Sequence, residues 1–257
     1  MPHQQINGFR MHYEQAGAGE QTLLLIHGNV ASARWWDRVW QPLAERFTVV
    51  RVDLRGCGQS ERPEEGNTIE QHSADVRALA EHLGLANVIV VGHSLGGSIT
   101  MDIAVQDPEW LRGIVLLNSA PAEGFVTPEE RAPLLQQMIQ DRNLMKMALA
   151  AMVPTAATGE YFEQLVDDAM VAGPTMYSHY QSLNHADYRE KLAERDIPAL
   201  ILYGQQDSLI LLDMMERTQQ AIRGSELVTY EDVGHSPNVE APERFVADVV
   251  RFAEHLS

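Results

Sequence analysis

The chain has 257 residues, of which 45% are hydrophobic and 21% are charged, values typical of a globular protein with one large domain or two small ones. Its 36 acidic residues outnumber its 19 basic ones, and the formal charge of −17 argues against nucleic acid and anionic membranes as partners, because both attract basic proteins. The single cysteine, Cys57, excludes an intramolecular disulfide and a cysteine-rich metal site.

The first residues of the chain bear on its location in the cell. Residues 1–6, Met-Pro-His-Gln-Gln-Ile, do not combine a charged segment with a following apolar one, as a secretory signal does. The longest apolar runs, 22–26 and 88–91, have the length of strands and not of membrane spans. We therefore expect a cytoplasmic protein.

In chain order, the first predicted element is a hairpin over residues 3–15, because Asn7-Gly8 is a strong signal for a two-residue turn. Apolar runs of strand length follow at 22–27, 47–52, 88–92, 114–118 and 199–203. Their continuous Val, Ile and Leu content is typical of parallel strands buried on both faces. A helix is predicted from Thr68, which has capping-box spacing to Gln71, as far as Gly84. The alternation predicts an α/β fold with a mostly parallel central sheet flanked by helices.

Residues 122–188 interrupt this alternation, because they contain no clear buried strand and prolines at 128, 133, 154 and 174 divide them into short helices. Six of the chain's eleven methionines lie here: Met138, Met145, Met147, Met152, Met170 and Met176. We predict that 122–188 form a helical lid (cap) inserted into a core domain made of 1–121 and 189–257. Methionine is flexible, so the group suits an adaptable apolar pocket, although core packing explains each single methionine equally well.

The candidate nucleophile lies in Gly92-His93-Ser94-Leu95-Gly96, between a predicted strand and a predicted helix. A serine on such a sharp turn needs small neighbours, and the two glycines leave room for the backbone to pass. The turn raises the Ser94 hydroxyl above the carboxyl end of the sheet, near a helix N-terminus that favours developing negative charge. His93 is adjacent to the nucleophile, and we expect its side chain to point away from the site.

Serine needs a base to activate it, and the base needs a third group that fixes its orientation. His235 is the candidate base, because it lies in a loop between a last strand predicted at 227–230 and a final helix predicted from about residue 241. Asp207 follows the strand predicted at 199–203, at an end of the sheet where catalytic groups collect. Asp213 and Asp232 are rival carboxylates. Asp213 is interpreted as a helix cap, and Asp232 shares the loop of His235.

The order Ser94, Asp207, His235 is that of the α/β-hydrolase catalytic triad, and the chain resembles this family along almost its whole length, with a lid in the expected place. Residues 27–29, His-Gly-Asn, resemble the family's oxyanion loop. Residues 53–60, Asp-Leu-Arg-Gly-Cys-Gly-Gln-Ser, are similar to its Asp-x-Arg-Gly-x-Gly-x-Ser segment.

By that resemblance, the backbone N–H groups of Asn29 and Leu95 form the oxyanion hole, and neither a metal nor an organic cofactor is implied. We interpret residues 53–60 as a structural tight turn with an internal Arg–Asp contact. Cys57 within this turn is interpreted as a packed small residue, because nothing basic is placed to activate its thiol.

Five residues are predicted to bind substrate: Trp35, Trp36, Met138, Met145 and Met152. The two tryptophans follow the oxyanion loop on a predicted helix, where they could form the wall of an acyl pocket. Packing of that helix on the sheet explains them equally well.

Particular residues separate the branches of the family that the chain resembles. Haloalkane dehalogenases and epoxide hydrolases use an aspartate nucleophile where this chain has Ser94, and prolyl iminopeptidases carry His-Gly-Gly-Pro at the oxyanion loop. Carbon–carbon bond hydrolases often have Gly-Asn-Ser-Met-Gly at the nucleophile. The chain most resembles a carboxylesterase acting on small to medium neutral, mainly apolar esters. A lactonase (for example of acyl-homoserine lactones), a carbon–carbon bond hydrolase and a ligand receptor with vestigial hydrolase activity are the alternatives.

Overall fold

One eight-stranded sheet runs through the computed structural model, which describes residues 2–256. Its strands are β1 (His3–Ile6), β2 (Phe9–Ala16), β3 (Thr22–Ile26), β4 (Thr48–Val52), β5 (Val88–His93), β6 (Leu111–Leu117), β7 (Ala199–Gly204) and β8 (Glu226–Tyr230). The order across the sheet is β1-β2-β4-β3-β5-β6-β7-β8. β1 and β2 form the hairpin predicted around Asn7-Gly8, and β2 pairs antiparallel with β4. The pairings from β4 to β8 are parallel, as the continuous apolar runs predict.

Alternate side chains of the central strands belong to two separate cores. In β3, Leu24 and Ile26 pack on one face of the sheet, whereas Leu23 and Leu25 pack on the other. All four side chains are fully buried, which explains why residues 23–26 are apolar at every position and not only at alternate ones.

Helices cover both faces of the sheet. They are α1 (Asp37–Ala44), α2 (Ile69–His82), α3 (Leu95–Gln106), α4 (Ala132–Met138), α5 (Arg142–Met152), α6 (Gly159–Ala172), α7 (Met176–Leu183), α8 (Arg189–Ala193), α9 (Leu212–Ala221), α10 (Pro237–Glu240) and α11 (Pro242–Glu254). α2, α3, α8 and α9 contribute to the core that contains Leu24, and α1 and α11 contribute to the core that contains Leu23. The predicted fold class is therefore confirmed. Within residues 2–256, every helix is too short or too polar to cross a membrane.

The ends of α2 show how local sequence sets an element's bounds. The hydroxyl of Thr68 accepts a hydrogen bond from the backbone N–H of Gln71 at 3.3 Å, which caps the helix at its predicted start. Gly84 follows the helix with φ of 62°, a left-handed conformation that glycine adopts readily.

Helices α4–α7 lie between β6 and β7, in the segment predicted to be a lid. Among the described residues, 122–188 contain helices and 3-10 turns but no strand. Met145 and Phe162 belong to a third apolar core, which also contains Ala31 and Trp35 from the segment after β3. This packing seats the four helices against that segment. The division of the chain into a core domain and a lid domain stays a prediction.

The turn that follows β4 differs from the predicted form in one contact. Arg55 pairs with Asp75 of α2, with 3.0 Å between Nε and Oδ2. Asp53 instead accepts hydrogen bonds from the backbone N–H groups of Ala33 at 2.7 Å and Gln59 at 2.8 Å. The predicted internal Arg–Asp contact is therefore wrong. Backbone groups close the turn around Asp53, while the long arginine side chain reaches across to α2.

Candidate active site

Ser94 occupies the sharp turn between β5 and α3. Its φ of 53° and ψ of −115° form a conformation that non-glycine residues rarely adopt, at a cost of about 1–3 kcal/mol. The flanking glycines allow this turn. A Cβ atom at Gly92 would lie 2.2 Å from the carbonyl oxygen of Gly96, and one at Gly96 would lie 2.4 Å from that of Ile26. The Ser94 N–H donates to the carbonyl of Leu117 at 3.0 Å, which ties the turn to β6.

His235 and Asp207 lie in the loops that follow β8 and β7. Nδ1 of His235 is 2.6 Å from Oδ2 of Asp207, and both side chains are buried. An ionised carboxylate only accepts hydrogen bonds, so Nδ1 of His235 donates and Nε2 is unprotonated in the neutral ring. The rival carboxylates, Asp213 and Asp232, pair with exposed arginines instead.

Four donors surround the carboxylate of Asp207. His235 shares Oδ2 with Nδ2 of Asn118, which lies 2.8 Å away, and the backbone N–H groups of Leu209 and Ile210 donate to Oδ1 at 2.8 and 3.1 Å. Burial raises the pKa of Asp207, but the charge of His235 and these hydrogen bonds outweigh it, so the pKa lies below its usual value. The carboxylate is therefore ionised and fixed in orientation. Sequence reasoning missed Asn118, although its position directly after β6 is a signal of the kind that identified Asp207.

The loop after β3 packs on the turn that carries Ser94. A Cβ atom at Gly28 would lie 3.1 Å from the Cβ of Ser94. Asn29 lines the same cavity as Ser94, and Val30 has φ of 48°, which is a rare conformation for a β-branched residue. Leu95 also lines this cavity, and it begins α3, where backbone N–H groups have no acceptor within the helix. The structure therefore brings both predicted oxyanion residues to the cavity of Ser94.

His27 fixes the start of this loop. Its Nε2 accepts a hydrogen bond from the backbone N–H of Leu54 at 3.1 Å, so Nδ1 donates to the carbonyl of Gly28 at 2.8 Å. Burial lowers the pKa of His27, against the opposing charge of Asp53, and keeps the ring neutral as these two bonds require.

A cavity of about 360 Å³ opens beside Ser94 and His235. The lid segment gives it apolar walls that include Phe125, Leu135, Met138, Met145, Met152 and Met176. Polar groups in the lining include Asn29, Tyr180 and Ser208, and Arg131 lies at the exposed rim. Such a cavity suits a small, mainly apolar molecule with a polar group near the serine. Among residues 2–256, no three His, Cys, Asp or Glu side chains are arranged to hold a metal ion.

Four of the five residues predicted to bind substrate line the cavity: Trp35, Met138, Met145 and Met152. Trp36 does not belong with them, and this assignment is corrected. Its ring is fully buried in the core beneath the sheet, with its centroid 6.1 Å from that of Phe245 in α11. The two tryptophans are neighbours on a short 3-10 turn, Ala33–Trp36, and they point to opposite sides of it.

His93 lies in the cavity wall, and the expectation that it points away from the site is also corrected. Its ring stacks on Trp35, with centroids 5.7 Å apart and planes 24° apart. Burial lowers the pKa of His93 to about 3, so the ring is neutral. Its Nε2 lies 3.0 Å from the carbonyl oxygen of His235, to which it donates. His93 therefore braces the loop that carries His235.

Comparison with known proteins identifies the family. A family model described as the alpha/beta hydrolase family matches residues 23–249. The structure of an esterase from Rhodococcus sp. has a TM-score of 0.87 and 26% identity, with 99% of this chain and 98% of the esterase covered. An enol-lactonase from Burkholderia xenovorans has a TM-score of 0.84 and 25% identity, with 98% and 99% covered. A soluble epoxide hydrolase from Corynebacterium sp. is 42% identical over 129 residues, which are 50% of this chain and 44% of that protein. Because the family match spans most of the sequence, the chain belongs to the alpha/beta hydrolase family.

Proposed function

We propose that this chain is a serine-dependent hydrolase that cleaves carboxylic ester bonds of small to medium-sized neutral, mainly apolar substrates. The observation that carries the proposal is the arrangement of three groups. Ser94 and His235 line one apolar cavity, and Asp207 holds the ring of His235 through a 2.6 Å hydrogen bond. Serine is a weak nucleophile until a neighbouring base removes its proton, and the unprotonated Nε2 of His235 supplies that base.

The mechanism has two stages. Oγ of Ser94 attacks the ester carbonyl carbon while its proton moves to Nε2 of His235, and the ionised Asp207 stabilises the imidazolium that forms. Negative charge develops on the carbonyl oxygen, and the N–H groups of Asn29 and Leu95 stabilise it by donating hydrogen bonds. The tetrahedral intermediate collapses to an acyl-enzyme, and the departing alcohol takes the proton from His235. Water then gives a proton to His235 and attacks the acyl-enzyme. The second tetrahedral intermediate releases the carboxylic acid as His235 returns the proton to Oγ of Ser94.

The cavity supports the substrate class. Its volume of about 360 Å³ lies near the lower end of the ~300–1,000 Å³ usual for small-molecule sites, so short to medium acyl groups fit best. Methionine and aliphatic side chains form most of the wall, which favours alkyl groups. The formal charge of −17 disfavours anionic substrates. The likeness to the Rhodococcus esterase supports the same chemistry.

Lactones are the second candidate class, favoured by the likeness to the enol-lactonase. A lactone is a cyclic ester, so the same serine, base and oxyanion donors open it. The alcohol stays attached to the acyl group after ring opening, and the whole substrate must therefore fit beside Ser94. Lactones, acyl-homoserine lactones included, belong in the same assay as open-chain esters.

The test is a set of initial rates on p-nitrophenyl esters of increasing acyl length. We expect Ser94→Ala to lower kcat by ~10³-fold or more, as the loss of a triad serine does. Ser98→Ala is the matched control, because Ser98 lies one turn further along α3, is buried and does not line the cavity. Full activity in Ser94→Ala would exclude the serine mechanism. A parent protein that is inactive on every ester but opens lactones in a Ser94-dependent way would replace the ester class by the lactone class.

A further inference from the structure

A buried pair of histidines lies behind the loop at 28–30, and the hydrolytic mechanism does not use it. His179 of α7 is fully buried, and its Nδ1 lies 2.8 Å from Oδ1 of Asn29. Its Nε2 lies 2.9 Å from Nε2 of His72 in α2, which is also fully buried. A lid helix, a core helix and the candidate oxyanion loop therefore meet at one chain of hydrogen bonds.

One backbone donor fixes the direction of this chain. The N–H of Val30 donates to Oδ1 of Asn29 at 2.9 Å, so that atom is the amide oxygen. Nδ1 of His179 therefore donates to it, Nε2 of His179 accepts, and Nε2 of His72 donates. His179 must be neutral for this order, because one of its ring nitrogens donates and the other accepts. Burial lowers the pKa of both histidines, to about 3 for His179, which agrees with neutral rings.

The loop needs to be held, because its backbone is strained. Val30 has φ of 48°, and such strain persists only where surrounding contacts over-determine the conformation. The amide of Asn29 is bound on both sides by α7. Its Oδ1 receives the N–H of His179, and its Nδ2 lies 3.4 Å from the carbonyl oxygen of Met176. Helix α7 therefore holds Asn29, the residue directly before the strained Val30.

We propose that His179 is a positioning residue for the oxyanion: its Nδ1–H bond to Asn29 holds the loop at 28–30 so that the Asn29 backbone N–H faces the developing charge. The inference rests on the proposed function, because it concerns the oxyanion of the same reaction. His72 contacts only the far nitrogen of His179, Nε2, and does not contact Asn29. The accepting Oδ1 of Asn29 is enough to fix the proton of His179 on Nδ1. The oxyanion exists only after attack by Ser94, so this contact affects kcat more than KM.

Three variants separate positioning from packing. His179→Leu removes the donor to Asn29, and we expect kcat for a p-nitrophenyl ester to fall roughly 10- to 100-fold, less than the ~10²–10³-fold for deleting an oxyanion donor. KM should change less than about threefold, because the ester itself carries no oxyanion. His179→Asn keeps an N–H donor close to the position of Nδ1, so kcat should recover to within about fivefold of the parent. His72→Leu breaks the same histidine pair and is the matched control, with kcat within about threefold despite a lower Tm.

Phenylboronic acid supplies a second readout, because its tetrahedral serine adduct mimics the intermediate. Its inhibition constant should rise in His179→Leu by about the factor that kcat loses, and it should stay near the parent value in His72→Leu. If His179→Leu does not fold, Asn29→Ala decides, since it removes the acceptor and leaves both histidines in place. Unchanged kcat in Asn29→Ala overturns the proposal.

The outcomes also separate this proposal from the proposed function. If Ser94→Ala keeps the parent rate, the serine mechanism is wrong and the positioning role falls with it. If Ser94→Ala is inactive while His179→Leu keeps kcat within about threefold, only the positioning role is wrong. Equal losses in His179→Leu and His179→Asn likewise overturn it, because the Nδ1–H bond would then not be the cause.

Discussion

Replacing Asn118 with alanine should cost much stability and little catalysis. Asn118 is fully buried, directly after β6, with φ of 37°. Its Nδ2 donates to Oδ2 of Asp207 at 2.8 Å, and its Oδ1 accepts the backbone N–H of Gly204 at 3.0 Å. One amide thus bridges the candidate triad carboxylate and the end of β7.

The magnitude follows from what alanine leaves behind. The lost bond to an ionised carboxylate is worth about 1.5–3 kcal/mol, and the buried N–H of Gly204 left without an acceptor costs about 1–3 kcal/mol. Alanine in the left-handed conformation adds about 1 kcal/mol. The free energy of unfolding should therefore fall by about 3.5–7 kcal/mol, a large part of the ~5–15 kcal/mol typical of a folded protein. Three donors to Asp207 remain, His235 among them, so kcat should fall less than about 10-fold, against ~10⁴-fold for Asp207→Asn.

Urea unfolding followed by tryptophan fluorescence and initial rates on a p-nitrophenyl ester measure the two effects separately. Asn238→Ala is the control, because Asn238 is also fully buried but its side chain makes one hydrogen bond, from Nδ2 to the carbonyl of Trp35 at 2.6 Å. It should lose clearly less stability than Asn118→Ala. Parent-like stability in Asn118→Ala, or a loss of kcat as large as that of Asp207→Asn, would refute the reasoning.

Three further changes test the packing around the site. Gly97→Ala places a Cβ atom 2.1 Å from Oγ of Ser119, so a lower Tm is expected in a thermal melt, and an unchanged Tm contradicts the close approach. Burial raises the pKa of Cys57 to about 12, so its thiol should resist a thiol reagent at pH 8 in the folded protein and react after unfolding in guanidinium. Fast labelling of the folded protein would show that the thiol is accessible. Trp35→Ala should shift the dependence of ester hydrolysis on acyl length, because Trp35 lines the cavity. Trp36→Ala should leave that dependence unchanged and lower the free energy of unfolding by about 3–5 kcal/mol. A shifted dependence in Trp36→Ala would contradict its placement in the core.

The fold was predictable because its signals are local. A parallel strand buried on both faces is apolar at every position, and the run at 88–92 became β5, Val88–His93, with a shift of one residue at its end. Asn7-Gly8 marks the turn between β1 and β2, because these two residue types readily adopt the positive φ angles that a two-residue hairpin turn needs. Helix α2 begins at its cap and ends before a glycine for similar reasons. Each of these features depends on a few neighbouring residues.

The contacts that hold the site depend on residues far apart in the chain, and the sequence alone did not reveal them. Trp35 and Trp36 lie on a four-residue 3-10 turn, which is too short for periodicity to show which ring faces the cavity. The bond between His179 and Asn29 joins residues 150 positions apart. Asn118 reaches Asp207 only because β6 and β7 are neighbours in the sheet, so its role required the strand order as well as the strands.

The candidate reacting groups and the cavity wall come from different parts of the fold, which explains how an esterase, a lactonase and an epoxide hydrolase can all resemble one chain. Ser94, Asp207 and His235 follow β5, β7 and β8, whose carboxyl ends collect along one edge of the sheet. The methionine wall comes from α4, α5 and the start of α7, within a segment that the strand pairing does not constrain. Substitutions there can change the shape of the cavity without displacing the three candidate reacting groups.

Two hydrogen bonds nevertheless connect the cavity wall to the candidate reacting groups. The predicted lid contacts the candidate oxyanion loop through His179 and Asn29. It contacts the loop of the candidate base through the backbone N–H of His235, which donates to the carbonyl of Met152 at 2.7 Å. A substitution that moves α5 or α7 is therefore expected to displace a candidate reacting group as well as the cavity wall. If the proposed mechanism holds, the helices that shape the cavity also affect the reaction rate, through the contacts of Met152 and His179 with these two loops.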